Sequence, residues 1–364
     1  MAYNLKNKLV VAVSSRALFN LEDENKIFEE KGLDTYYKYQ FENENTPLQK
    51  GTGYRVVENL LKINQHFDED EKQVEVIILS KNNAGTSLRI TNAINEYKLD
   101  IKRSAWTSGN DTSKYLKAFK VDLFLSADDS DVMNAIENSV AAAKILPSSQ
   151  DINNSINDQV KIAFDGDAVL FSETSELIYK EHGLESFIKH EQENRDNPLE
   201  EGVFAKFLLT IANIQKRFKD KESPIRTALV TARSAPTHER VIKTLNVWGV
   251  RIDEAFFLGG SEKYEILEAF GADIFFDDQD VHLDLSSSVV PSAKAIKKNK
   301  KKLVVIEIGA GTAIPTVRRQ SEYLTQISES TKLIRINPRE SELDGANGFS
   351  VALGGLEGLD RVLG

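Results

Sequence analysis

Short apolar runs alternate with stretches of helical period along the first third of the chain. The runs are LVVAV from Leu9, VEVIILS from Val74, IKRSAW from Ile101 and VDLFLSA from Val121. Between and after them lie amphipathic stretches such as SLRITNAINEYKL and SDVMNAIENSVAAAKIL. This alternation predicts a mostly parallel sheet with helices on its faces. The polar segment PSSQDINNSINDQ, Pro147 to Gln159, reads as a linker or long surface connection and closes a first α/β section, residues 1–150. A second strand series follows over residues 151–296: VKIAF from Val160, TALVT from Thr227, EAFFLGG from Glu254 and ADIFF from Ala272. The insert between its first two strands carries LIYKEHGLESFIKHE and FAKFLLTIANIQKRF at helical period, which predicts a helical cap over residues 173–222. After the run KKNKKK, Lys297 to Lys302, a third section (297–364) contains the strand patterns LVVIEIG and LIRIN and a helix signal in LEGLDRVL. No repeat at a solenoid period is visible.

Composition narrows the function classes. A chain of 364 residues that is 41% hydrophobic can bury more than one core. The absence of cysteine excludes disulfides, thiolate zinc sites and cysteine nucleophiles together. A formal net charge of −10 with scattered basic residues disfavours nucleic-acid polymers and anionic membranes as partners, while leaving room for a small anion in a local pocket. The first residues are too weakly apolar for a signal peptide, and no run approaches the roughly 20 apolar residues of a membrane span. The expectation is a cytoplasmic protein, with self-association left open.

The stretch IAFDGDAVLF, Ile162 to Phe171, places Asp165 and Asp167 one residue apart just after an apolar run. In a parallel sheet that is the carboxyl edge, where open α/β folds bind ligands. Two carboxylates that close repel unless a divalent cation or a proton intervenes. Taken alone, Asp-Gly-Asp reads equally well as an Asx-type turn. Three later strand ends shift that balance. TALVTAR ends in Thr231, a hydroxyl donor, followed by the cation Arg233; GGSEKYEIL supplies Lys263 at a helix start; IFFDDQD ends in Asp277 and Asp278, hard oxygen ligands of the kind Mg²⁺ prefers. Each feature alone could be a cap, a turn or a solvated side chain. Four in order, each after an apolar strand, point to one site.

These four motifs, IAFDGDAVLF, LVTAR, GGSEK and FFDDQ, resemble those of the haloacid dehalogenase superfamily of phosphohydrolases. Over Lys8 to about Pro291 the chain is more closely similar to the cytosolic 5′-nucleotidase I family, through AVSSRALFNL, LSKNNAGTSLRI, KIAFDGDAVLFS, TALVTARSAPTHERVIKTLNVWGVRIDEAFFLGG and IFFDDQDVHL. The resemblance implies a haloacid dehalogenase-like Rossmannoid sheet with a cap. It also implies Mg²⁺-dependent hydrolysis of a nucleoside monophosphate such as AMP. Asp165 would be the nucleophile, Asp167 the general acid and base, and Thr231 and Lys263 the holders of the phosphoryl oxygens. Mg²⁺ would be bound by Asp165, the backbone carbonyl of Asp167, and Asp277 or Asp278, which the sequence does not separate.

Candidate substrate contacts are Ser14, Ser15 and Arg16 after the first strand, the turn carrying Asn83, Gly85, Thr86, Ser87 and Arg89, and Arg233. Ordinary loop and cap duties are the competing reading for each. Phe124, Phe164 and Trp106 could stack on a base, although strand aromatics of this kind are usually core. The third section departs from this pattern and resembles the last strand-helix-strand-helix part of a sirtuin's NAD-binding domain, through GAGTAIP and RIN. It has neither that family's catalytic histidine nor its zinc cysteines, so deacetylation is not expected. The tail reads as a packing or oligomerisation element, a partial Rossmann sheet lacking most of its crevice, with a residual nucleotide-binding surface as the alternative. Two alternatives to a nucleotidase stand beside it: a sugar-phosphate phosphatase, since the motifs fix phosphoryl transfer but not the leaving group, and a nucleotide-binding regulator with an idle hydrolase half.

Overall fold

The computed structural model describes residues 4–147, 159–218, 221–296, 304–312, 316–326, 332–343 and 348–363. Most of the proposed linker and the KKNKKK run lie outside these residues. The chain divides into two compact units, Met1–Lys297 and Lys298–Gly364.

The larger unit is built on one ten-stranded sheet that draws equally on both of its halves. The first half begins with β1 (Leu9–Val13), α1 (Ser15–Leu18), β2 (Phe19–Asn20), α2 (Glu22–Glu42), β3 (Gln49–Lys50) and α3 (Tyr54–Lys62). It continues through β4 (Val74–Ser80), α4 (Leu88–Glu96), β5 (Arg103–Trp106), α5 (Ser113–Leu116), β6 (Leu123–Ser126), α6 (Asp129–Glu137) and β7 (Ala141–Ile145). The second half begins with β8 (Val160–Phe164), α7 (Thr174–Glu193), α8 (Ala205–Gln215) and β9 (Ile225–Thr231). It ends with α9 (His238–Trp248), β10 (Glu254–Phe257), α10 (Tyr264–Phe270), β11 (Ile274–Asp277), α11 (Asp280–Ser286) and β12 (Ser292–Ala295).

The strand order is β10-β9-β8-β11-β12-β7-β6-β1-β4-β5. Within this sheet, pairing is parallel in each half, and the halves join through an antiparallel pair, β7 with β12. Read outward from that junction, both halves have the same order. The chain is therefore an internal duplication folded about a pseudo-two-fold axis, and the carboxyl edges of the two halves face opposite edges of the sheet.

A constant spacing of 151 residues relates the halves, carrying Ser14 to Asp165, Ser80 to Thr231 and Ser126 to Asp277. The register agrees, since Val13 opposes Ile78 as Phe164 opposes Leu229, and Ser80 opposes Trp106 as Thr231 opposes Phe257. The same spacing aligns IFEEKGLDTYYKYQFENENTPLQKG, Ile27 to Gly51, with IYKEHGLESFIKHEQENRDNPLEEG, Ile178 to Gly202. Gly32 and Gly183, at φ 78° and 79°, break α2 and α7 at the same point, in a left-handed conformation that glycine adopts without strain.

Burial explains why the strands read as continuous apolar runs, because both faces are covered. One face carries a single core running through both halves under α3, α4, α8 and α9, while the other carries two separate cores, one per half. α8 was expected in the cap. Instead Phe204 and Phe207 are buried against Phe164 and Phe276, so this helix belongs to the shared core and the cap of the second half is α7. The halves also exchange ion pairs across the junction. Arg55 of α3 binds Asp273 at the start of β11 (2.7 Å), and Lys206 of α8 binds Asp122 at the start of β6 (3.0 Å). Each carboxylate also accepts a strand N–H, from Lys161 (2.8 Å) and Val10 (3.0 Å) respectively.

The smaller unit is a three-stranded parallel sheet, β13 (Val304–Ile308), β14 (Lys332–Ile336) and β15 (Gly348–Val351), with α12 (Thr316–Gln326) and α13 (Gly355–Leu363).

Candidate active site

Four strand or loop ends of the second half converge at its carboxyl edge. Asp165 follows β8 directly, is 4% exposed, and is fixed by its own N–H donating to Phe276 O at 2.8 Å. Gly166 turns the chain under Thr231: a Cβ there would lie 3.3 Å from the Thr231 hydroxyl oxygen, so the glycine lets that buried hydroxyl reach the loop. Lys263, at the start of α10, is buried and its Nζ bridges Asp165 Oδ1 (2.8 Å) and Asp277 Oδ2 (2.7 Å). Burial alone would drive this ammonium down, but Asp165 and Asp277 together hold it above its ordinary pKa. Burial, then the charge of Asp165, pushes the Asp277 carboxyl up, against the pull of Lys263.

Asp165, Asp277 and Asp278 each offer an oxygen within 4.8 Å of the others. With Asp167 the site holds four carboxylates against two cations, Lys263 and Arg233. Three converging hard oxygens with an excess of negative charge fit a divalent cation such as Mg²⁺.

Asp167 belongs to a second network. Arg233, two residues beyond β9, grips it with two hydrogen bonds, Nε to Oδ2 (2.8 Å) and Nη2 to Oδ1 (2.6 Å). Burial is the main force raising the Asp167 carboxyl above its ordinary range, with Arg233 opposing it. Arg233 also donates to Glu191 of the cap helix α7, and Glu191 in turn receives Arg240 Nη1 (2.9 Å) and Ser175 Oγ (2.8 Å). Burial would raise Glu191, but its arginines hold it below the usual glutamate range. Arg233 was expected to contact substrate, and its position makes it the link between the Asp167 carboxylate and the cap. Glu191 was not among the expected residues. It lies inside a helix, where strand-end logic has no reach, and only the repeat, which sets Gln40 in its place, marks the position.

The remaining candidates are not brought to Asp165. Ser14, Ser15, Arg16, Asn83 and Thr86 line a cavity of about 440 Å³ at the carboxyl edge of β1 and β4, on the opposite edge of the sheet. The neighbouring turn is held by local bonds, Asn83 Oδ1 accepting from Thr86 N (2.8 Å) and Ser87 Oγ donating to Ala84 O (2.7 Å). Gly85 lies under the Tyr37 ring, and Arg89 is buried on Glu24 (2.7 Å) and Thr46 O (3.0 Å), locking α4 to α2. Antiparallel joining of β7 to β12 is the reason for the separation. Phe124 and Phe164 are fully buried core residues, whereas Trp106 is half-buried at the end of β5.

The family model described as 5′-nucleotidase matches residues 1–302. Human cytosolic 5′-nucleotidase 1B is 39% identical over 305 residues, covering 81% of this chain and 50% of that protein. The chain thus spans about half the length of this curated relative. No solved structure matches.

Proposed function

From the premise that this chain belongs to the 5′-nucleotidase family, we propose that its second half hydrolyses nucleoside 5′-monophosphates, AMP-like in kind, to nucleoside and inorganic phosphate. The observation that carries the reading is the buried cluster of Asp165, Lys263 and Asp277 with Thr231 beside it, at the edge where α/β sheets bind ligands. A carboxylate oxygen of Asp165 attacks phosphorus, and the bond from phosphorus to the ribose 5′-oxygen breaks. Asp167, in its protonated form, gives its proton to that oxygen. It then takes a proton from the water that attacks the aspartyl-phosphate, and Asp165 leaves as a free carboxylate. Thr231 and Lys263 hold the phosphoryl oxygens as negative charge spreads over them. Arg233 positions Asp167 and couples it to Glu191 of the cap. Asp165, Asp277 and Asp278, with the backbone carbonyl of Asp167, would hold Mg²⁺, which when bound offsets their mutual repulsion and polarises the phosphoryl group. Among the described residues no helix is long and apolar enough to cross a membrane.

The test is phosphate release across a panel of nucleoside monophosphates and sugar phosphates, with Mg²⁺ and with excess chelator. Release confined to nucleotides and stopped by chelation is the expected result. A preference for sugar phosphates, or full activity in chelator, overturns the reading.

A further inference from the structure

The geometry points to a second nucleotide site in the first half, one that binds a nucleoside monophosphate without hydrolysing it and without a metal. It rests on the reading of the second half as a nucleotidase. The 151-residue spacing sets Ser14 in the place of Asp165, Arg16 in that of Asp167, Ser80 in that of Thr231, Thr112 in that of Lys263, and Ser126 and Ala127 in those of Asp277 and Asp278. The catalytic set carries four carboxylates against two cations and repels a phosphate dianion unless a divalent ion joins it. At the same positions the first half carries four hydroxyls, an alanine (Ala127), an asparagine (Asn82, for Arg233) and one cation, Arg16. That set attracts the dianion with no ion added. It has no carboxylate nucleophile and no acid at the position of Asp167, so the ester bond stays intact.

A cavity of about 440 Å³ is lined by these residues except Thr112, which is buried. At its polar end Ser15 and Ser80 hydroxyls lie 2.9 Å apart, Ser80 Oγ donates to Asn82 Oδ1 (2.8 Å), and Asn82 Nδ2 donates to Tyr36 OH (3.0 Å). Its other charges are largely satisfied internally: Lys81 pairs with Asp131 (2.7 Å), Glu24 with Arg89 (2.7 Å), and Asp128 caps α6. Among the described residues Arg16 is held by Glu22 alone (2.9 Å), a solvent-facing pair that costs little to exchange for a phosphate. The apolar wall is supplied by Phe28, Leu33 and Tyr36 of α2. These align with Tyr179, Leu184 and Phe187 of the catalytic cap, so both halves offer the same kind of surface to a base.

The test uses the full chain in excess chelator, with AMP as the probe in titration calorimetry and adenosine as its control. One saturable AMP site per chain is expected, with adenosine much weaker. Arg16→Glu and Leu33→Glu, both at partly exposed or exposed positions, should each weaken AMP at least about tenfold while the thermal midpoint is kept. Absence of saturable AMP binding at millimolar concentration overturns the proposal, as does binding indifferent to both substitutions, and equal binding of adenosine overturns the phosphate assignment. If no nucleotide is hydrolysed yet chelator-resistant binding follows Arg16, the activity reading falls while this site stands; the reverse result removes this site alone.

Discussion

Asp165→Asn exchanges a carboxylate for an amide of nearly equal size, so the turn and the Phe276 bond survive while the nucleophile is lost. Turnover should fall below detection with an unchanged circular dichroism spectrum, and near-normal phosphate release would exclude an aspartyl-phosphate. Glu191 gives a pH test. Its folded pKa is depressed, so its contribution is complete above the ordinary glutamate range and disappears as pH falls through the folded value. Glu191→Gln should therefore cost about 2 kcal/mol at neutral pH, the scale of a hydrogen bond to a charged group, and progressively less below about pH 4. Denaturant unfolding of both proteins across that range reads the difference, and a pH-independent gap would show that the charge is not what matters. Of these two residues only Asp165 was legible beforehand, because a strand end fixes where a side chain points. A helix position such as Glu191 gains its meaning only from what packs across from it.

At the scale of elements, the strands that read clearly carry large apolar side chains, β-branched, leucine or aromatic. The two strands of the ten-stranded sheet that were missed, β7 (AAAKI) and β12 (SAKA), join the halves. Alanine carries almost no strand preference, so β7 merged with the helix before it in the sequence pattern, and only the pairing partner separates the two. The junction also depends on the exchanged ion pairs, which should differ in strength. Asp273 is fully buried and its partner Arg55 is 15% exposed, whereas Lys206, opposite Asp122, is 69% exposed. Asp273→Ala leaves a nearly buried guanidinium and the Lys161 N–H without their acceptor, a loss of about 3–5 kcal/mol. Asp122→Ala should cost less, since the Lys206 ammonium remains in water. Equal losses in urea unfolding would mean that the strand N–H bonds, not the cations, carry both sites.

At the scale of the whole molecule, the duplication escaped a search for short periods because its repeat is as long as a domain, and its best-matched segment lies in the caps, away from the catalytic motifs. The tail has no counterpart in that repeat. Every proposed catalytic and metal residue lies at or before Asp278, inside the compact unit that ends at Lys297, and the tail forms a separate sheet with its own buried pair of Arg335 and Glu307. A chain ending at Lys297 should therefore keep its turnover per folded molecule. The tail's glycine-rich turn resembles one that would face a dinucleotide phosphate, but Thr312 already donates its N–H (2.6 Å) and hydroxyl (3.0 Å) to Glu340, and a Cβ on Gly311 would lie 3.1 Å from the same carboxylate. An anion from the chain itself thus fills the place of a phosphate, and a second one would meet like charge. Calorimetry with the full chain should show no saturable NAD binding at millimolar concentration, and phosphate release should be unaffected by NAD. Saturable binding abolished by Gly311→Trp, together with an NAD effect on turnover lost in the shortened chain, would instead make the tail a sensor of dinucleotide.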